Sequence, residues 1–178
     1  MKVLGELGDA LLGAWARWQL GELFCRQGEL AQARRLHEEA LAERKRIGAA
    51  IFAAESQLSL AVVALEEGRA TDGERLARQA LPEFHGRQSV SNEVLAEAVL
   101  AAALLAQGKA AAAREVMGRV AERAERLQHV LVKLAVAPIA ARVRASTGAP
   151  ADLAAALAAL ERALQHARDS GVVTAEME

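Results

Sequence analysis

The stretch Gly21-Glu22-Leu23-Phe24-Cys25-Arg26-Gln27-Gly28-Glu29-Leu30-Ala31-Gln32-Ala33, continuing through Ala40-Leu41 to Gly48, decides the fold. Its skeleton is a small residue, a glycine seven positions on, an alanine five further, and an Ala-Leu pair seven beyond that. The skeleton returns along the chain: Gly28, Gly68, Gly108 and Gly148 are spaced 40 residues apart. Seven residues before each stands Gly21, Ala61, Ala101 or Ala141, preceded by Leu20, Leu60, Leu100 or Ala140. After the glycines come Ala33, Gly73 and Ala113, then Ala40, Ala80 and Val120, then Leu41, Leu81 and Ala121. A fixed period of this length marks a stacked-repeat architecture, and small residues recur where helices approach closely. In the fourth unit Ala163, Leu164 and Gly171 match Ala40, Leu41 and Gly48 with a slip of three residues, placed in the turn holding Ala149 and Pro150.

Each unit reads as two helices parted at its glycine, the residue suited to positive φ at a helix C-terminus. The pattern predicts helices over about residues 9–27, 30–46, 49–67, 70–85, 91–107, 110–127, 130–147 and 151–169. First helices are apolar nearly all round, as in Ile51, Phe52, Leu58, Leu60, Val62, Val63 and Leu65. Second helices are amphipathic: Leu30, Ala33, Leu36, Ala40, Leu41 and Ile47 form one stripe, opposite Glu29, Gln32, Arg34, Arg35, Glu38, Glu39 and Glu43. Pro82 and Pro138 each remove a backbone donor, which predicts a bend or break at both. The fourth helix is expected to end early after Pro82, with Ser91 or Asn92 capping the next, and the seventh to kink at Pro138.

Composition agrees. The chain is 53% hydrophobic over 178 residues, enough to bury a core and too apolar for a disordered segment. Abundant Ala and only 3% aromatics favour helix over sheet. A net charge of -1 supplies no overall field for nucleic acid or an anionic membrane. A single Cys25 rules out an internal disulfide framework and fits a reducing cytoplasm. Gly5, Glu6, Gly8 and Asp9 interrupt any signal-peptide core, and the apolar run from Val94 to Ala106 is short of the roughly 20 residues that span a bilayer. The expectation is a soluble, cytoplasmic protein.

The skeleton carried by Gly21, Gly28, Ala33, Ala40 and Leu41 resembles the tetratricopeptide repeat, and the resemblance covers essentially the whole chain. It implies an all-α, right-handed superhelical solenoid of about four helix-turn-helix repeats and eight helices, with units near 9–48, 49–88, 89–128 and 129–171. The period of 40 exceeds the family's usual length of about 34. It is similar to the long-helix variety of bacterial signalling and regulatory proteins. Val3, Leu4 and Leu7 before Gly8 look like the tail of a preceding second helix, and 171–178 like the start of another first helix. The chain then reads as a fragment of a longer array, or as a short protein with frayed ends.

The resemblance places the first helices along a concave groove, at Trp15, Trp18, Glu22, Leu58, Val62, Leu95, Ala98 and Ala102, with Arg17, Arg142 and Arg144 at its rim. Mostly apolar, this set lacks the Lys, Asn and Arg of a carboxylate clamp and suits an amphipathic helix or hydrophobic peptide. Trp15 and Trp18 are candidate anchors, or else core or surface covered by a neighbouring repeat. Cys25 aligns with Leu65 and Leu105, so it reads as an inert packed thiol. His37, His85, His129 and His166 lack metal-ligand spacing, and His37 aligns with Ala77 and Met117, a surface or packing position. The clusters Glu43, Arg44, Lys45, Arg46 and Glu122, Arg123, Glu125, Arg126 mix both signs, the pattern of a solvated helix face. No phosphate loop, nucleophile elbow or dinucleotide fingerprint occurs, so no catalytic residue, metal or cofactor is expected. Three readings follow: a non-catalytic scaffold binding a protein or peptide, a ligand-responsive sensor module, and self-association through stacked array ends.

Overall fold

The computed structural model describes residues 2–127 and 129–170, with the side chains of 2–5 left aside. Eight helices follow in order: α1 Lys2–Arg26, α2 Leu30–Arg46, α3 Ala50–Glu66, α4 Ala70–Gly86, α5 Val90–Ala106, α6 Ala110–Arg126, α7 Val130–Ala145 and α8 Pro150–Asp169. Among the described residues there is no strand. The architecture is the expected all-α helical-repeat solenoid.

The turns explain the period. Gly28, Gly48, Gly68, Gly108 and Gly148 all have φ between 71° and 77°, and Gln88 takes the same turn at φ 54°. Two bonds close each of the first turns: Gly28 N–H donates to Cys25 O and Glu29 N–H to Phe24 O, at 3.1 and 2.9 Å. The same pair recurs at Gly48, Gly68, Gln88 and Gly108. The left-handed backbone satisfies terminal helix carbonyls and aims the next helix back along the last. Gln88 shows that the turn needs the conformation and merely prefers glycine. A non-glycine residue there costs roughly 1 kcal/mol, and glycine's larger unfolded-state entropy takes back part of it. Gln88→Gly is therefore expected to raise stability by about 0.5 kcal/mol, read as a higher urea midpoint; a lower midpoint would contradict this account.

The small repeat-defining residues lie where helices cross. Ala33, Ala40, Ala61, Ala77, Ala80, Ala101 and Ala113 are fully buried, and Ala141 nearly so. At Gly73 an added Cβ would stand 3.0 Å from Leu65 Cγ and 3.2 Å from Ala61 O, so α3 and α4 meet there without room for a methyl. The principal core gathers Val94, Val99, Leu100, Leu104, Met117, Val120 and Val136 around the α5–α7 junctions. First helices touch in succession, α1 to α3, α3 to α5 and α5 to α7, whereas α2, α4 and α6 do not touch one another. The stack therefore curves with its first helices on the inside.

Three expectations are corrected. Helix α4 runs through Pro82 to Gly86, and Ser91 and Asn92 lie inside α5, whose cap position is Ser89 without a side-chain bond. One lost donor is outweighed by the fully buried Phe84 and by Ser89 N–H donating to Phe84 O at 2.9 Å. Helix α7, by contrast, continues across Pro138, consistent with the expectation that it would not end there. Helix α1 is continuous through Gly8, which lacks positive φ, so residues 2–7 form no separate preceding helix. The three-residue slip lies within α8, 20 residues long against 17 in α2: Pro150 starts an additional first turn. Thr147 Oγ1 accepts from Ala149 N–H at 3.2 Å in place of the usual second turn bond. The expected helix start at 171–178 lies outside the described residues.

Candidate inner-face binding site

Repeat register lays three rows along the inner helices. Trp15, Glu55 and Leu95 share one, Trp18, Leu58 and Ala98 a second, and Glu22, Val62, Ala102 and Arg142 a third. Trp15 is 51% exposed, Leu58, Val62, Leu95 and Ala102 are half-buried, Ala98 is fully buried and Arg142 is exposed on α7. Leu58, Val62 and Leu95 rest their inner sides on the core. Arg17 is exposed with its Nε 3.5 Å from Glu39, and Arg144 is exposed on α7. The result is a largely apolar strip with a free indole at its α1 end.

Trp18 and Glu22 are committed elsewhere. Trp18 Nε1–H donates to Ser59 Oγ at 3.0 Å, and the Ser59 hydroxyl donates to Glu22 Oε1 at 2.7 Å. Both ties fasten α1 to α3. Beneath them Arg44 of α2 is only 1% exposed, which corrects the solvated reading of its cluster. Its guanidinium donates to Phe52 O at 2.7 Å and Ser56 Oγ at 2.9 Å, and lies 5.5 and 5.6 Å from the ring centres of Trp18 and Phe52. Glu55 stands 3.9 Å away and accepts from Asn92 of α5 at 3.4 Å. Burial pulls the Arg44 pKa down and pushes that of Glu55 up, in each case against the attraction of the other. The ion pair is thus the weaker tie, and the hydrogen bonds and flanking rings hold the cation. Glu43 and Arg46, by contrast, pair on the surface at 2.7 Å.

His37 is completely buried. Its ring covers Gly21 so closely that an added Cβ would stand 2.6 Å from Cε1. Neither ring nitrogen makes a hydrogen bond. Glu22 Oε1 is 3.5 Å from Nε2 but takes the Ser59 hydroxyl instead. Burial, and secondarily the Arg44 charge, lower its pKa to about 4. Arg123 also departs from a simple solvated face, reaching across to Glu93 and Glu97 of α5 at 2.9 and 2.7 Å.

The sequence reading missed Arg44 as an interior residue, although the repeat register held the signal: Arg44 aligns with Phe84 and Ala124, both buried. Cys25 is half-buried, and burial, then Glu22 and Glu66, raise its pKa, keeping it a protonated thiol. His85, His129 and His166 are exposed on separate helices and turns. Among the described residues no three His, Cys, Asp or Glu side chains gather as a metal site, and no helix is long and apolar enough to cross a membrane.

No protein-family model matches the sequence, and no curated protein matches it. Among solved structures, the chain is similar to a Rap protein complexed with competence and sporulation factor, with a TM-score of 0.75 over 88% of this chain and 47% of the other. The fold is TPR-like. Sequence identity is 18%, so the likeness speaks to fold alone. The chain spans about half the length of that Rap chain.

Proposed function

We propose that the chain is a non-catalytic interaction module that binds a protein segment, best an amphipathic helix or hydrophobic peptide, along the inner faces of α1, α3 and α5. The observation carrying this reading is Trp15: an indole 51% exposed at the end of a half-buried apolar strip made by Leu58, Val62 and Leu95. Large, partly exposed aromatics beside an apolar groove are the usual anchors of helix-in-groove recognition. The Rap protein of similar fold was solved with a bound factor, which supports a peptide or protein as the class of ligand. The long repeat supports a place within a larger bacterial signalling or regulatory protein, in which units near 9–48, 49–88, 89–128 and 129–171 act as one array.

A second reading, a ligand-responsive sensor, draws on a specific feature. The hydrogen bonds from Trp18 through Ser59 to Glu22 join α1 to α3 one helical turn from Trp15. A ligand that seats on Trp15 bears directly on this junction, and so on the pitch of the stack.

The test is selection from a displayed library of amphipathic helices, followed by Trp fluorescence titration of the selected peptides. Trp15→Ala is expected to weaken binding about tenfold or more, the effect of losing a hot-spot aromatic. Its thermal midpoint should hardly move, because half the side chain is already in water. Selected peptides that bind Trp15→Ala as tightly as the parent would remove the inner strip as the site.

A further inference from the structure

Helices α1 and α8 each expose one of the two complementary halves of the interface that joins one repeat to the next. In α3, Ser56, Ser59, Leu60 and Val63 are buried, and in α5 so are Ala96, Val99, Leu100 and Ala103. The preceding repeat covers them: Arg44 of α2 bonds Ser56, Trp18 of α1 bonds Ser59, and Ala80 and Phe84 of α4 pack on Ala96. The same positions in α1 are Ala16, Gln19, Leu20 and Leu23, and all are exposed, the leucines by 47% and 49%.

Helix α8 shows the opposite half. Leu153, Leu157, Leu160 and Leu164 form one stripe, 38% to 59% exposed. In repeat register they correspond to Leu30, Arg34, His37 and Leu41 of α2, the side that meets α3: Arg34 pairs with Glu67 at its end at 3.6 Å. Glu74 of α4, in the Arg34 position, likewise accepts from Gln107 at the end of α5 at 2.8 Å. At the Leu160 position the other second helices carry His37, Ala77 and Met117, all buried.

Where the internal junctions use polar ties, both free halves are neutral. Leu157 replaces Arg34 and Glu74, and Gln27 of α1 replaces Glu67 and Gln107. Ala167 stands at the Arg44 position and Ala16 at the Ser56 position. Joining α8 to α1 therefore strands no charge at these contacts, which would be the main obstacle to such a junction.

We propose that a second copy of this chain docks its α8 leucine face onto the exposed α1 face, continuing the solenoid from molecule to molecule. The contact is heterologous, so it propagates head to tail.

Sedimentation of the 178-residue chain from low to high micromolar concentration tests this, with two variants: Leu20→Lys with Leu23→Lys on α1, and Leu157→Lys with Leu160→Lys on α8. All four leucines are solvent-exposed in the single chain, so helicity by circular dichroism should be unchanged. The parent is expected to rise in mean mass above 18.9 kDa with concentration. Each variant alone should remain monomeric. An equimolar mixture should form a one-to-one dimer and nothing larger, because each partner keeps one competent face. A parent that stays monomeric throughout, a variant that associates as the parent does, or a mixture that forms no dimer would each overturn the proposal.

Discussion

Arg44→Ala is expected to destabilise the fold by about 3 kcal/mol, whereas Arg44→Met should cost about 1 kcal/mol or less. Arg44 is buried between Trp18 and Phe52 and spends its donors on Phe52 O and Ser56 Oγ. Truncation to alanine empties a space enclosed by three helices, and cavities of that kind carry the larger share of the cost. Methionine refills the volume without bringing a charge out of water, and burial of this charge is already the dominant influence on its pKa. Phe52 O lies within α3 and keeps its own helical donor, and the buried Ser56 hydroxyl, which loses the Arg44 donor, can itself donate to the carbonyl one turn back in the helix. The position is apolar in the neighbouring repeats, at Phe84 and Ala124. Urea denaturation of the three proteins decides the matter. Equal losses for Ala and Met would show that the charge and its hydrogen bonds, rather than the filled space, hold this junction.

The contrast between Arg44 and Phe84 also shows what was legible in the sequence. The period could be read because positive φ is a local backbone demand, and glycine advertises it at Gly28, Gly48, Gly68, Gly108 and Gly148. Gln88 makes the same turn without that mark, and so the end of α4 was misread from Pro82 and its polar neighbours. There, tertiary anchoring through Phe84 overrides local propensity. Arg44 was hidden by composition: Glu43, Lys45 and Arg46 around it point to solvent, and a helix surface rich in both charges usually does too. Only comparison with the residues one repeat on reveals that this position faces inward. The inner strip was legible as a row of positions, because register places Trp15, Leu58, Val62 and Leu95 without knowledge of their contacts. The commitment of Trp18 and Glu22 to Ser59 was not, since it depends on how closely α1 and α3 approach.

That approach bears on function. The peptide contact proposed at Trp15, the α1–α3 ties and the buried Arg44 and His37 all lie within the first repeat and its junction with the second. At the Arg44 position the next junction packs Phe84 on Ala96 and keeps its polar tie at the surface, Glu74 with Gln107. The first junction is the one that buries its titratable and charged side chains, His37 and Arg44.

His37 makes that burial measurable. It is expected to withdraw about 3 kcal/mol of stability as the pH falls from about 6.5 to about 4. The unfolded chain takes up a proton near the ordinary value of 6.5, while the folded chain holds the ring neutral to about 4. Stability is therefore fully present above pH 6.5 and is lost as the unfolded state binds the proton first. The carboxylate Glu74, held down to about 2 chiefly by its bond from Gln107, sheds its contribution only from 4.5 downward, so the two windows are separable. Glu22 offers the imidazolium little relief while it accepts from Ser59, and the Arg44 guanidinium opposes it. His37→Met, which copies the residue at Met117, removes the titrating ring and keeps an apolar side chain over Gly21. The urea midpoint of the parent should fall as the pH is lowered from 7 toward 4.5, losing most of that contribution within the interval, while the midpoint of the variant changes little. Parallel curves across the interval would mean that the buried imidazole finds a partner for its proton in the folded state.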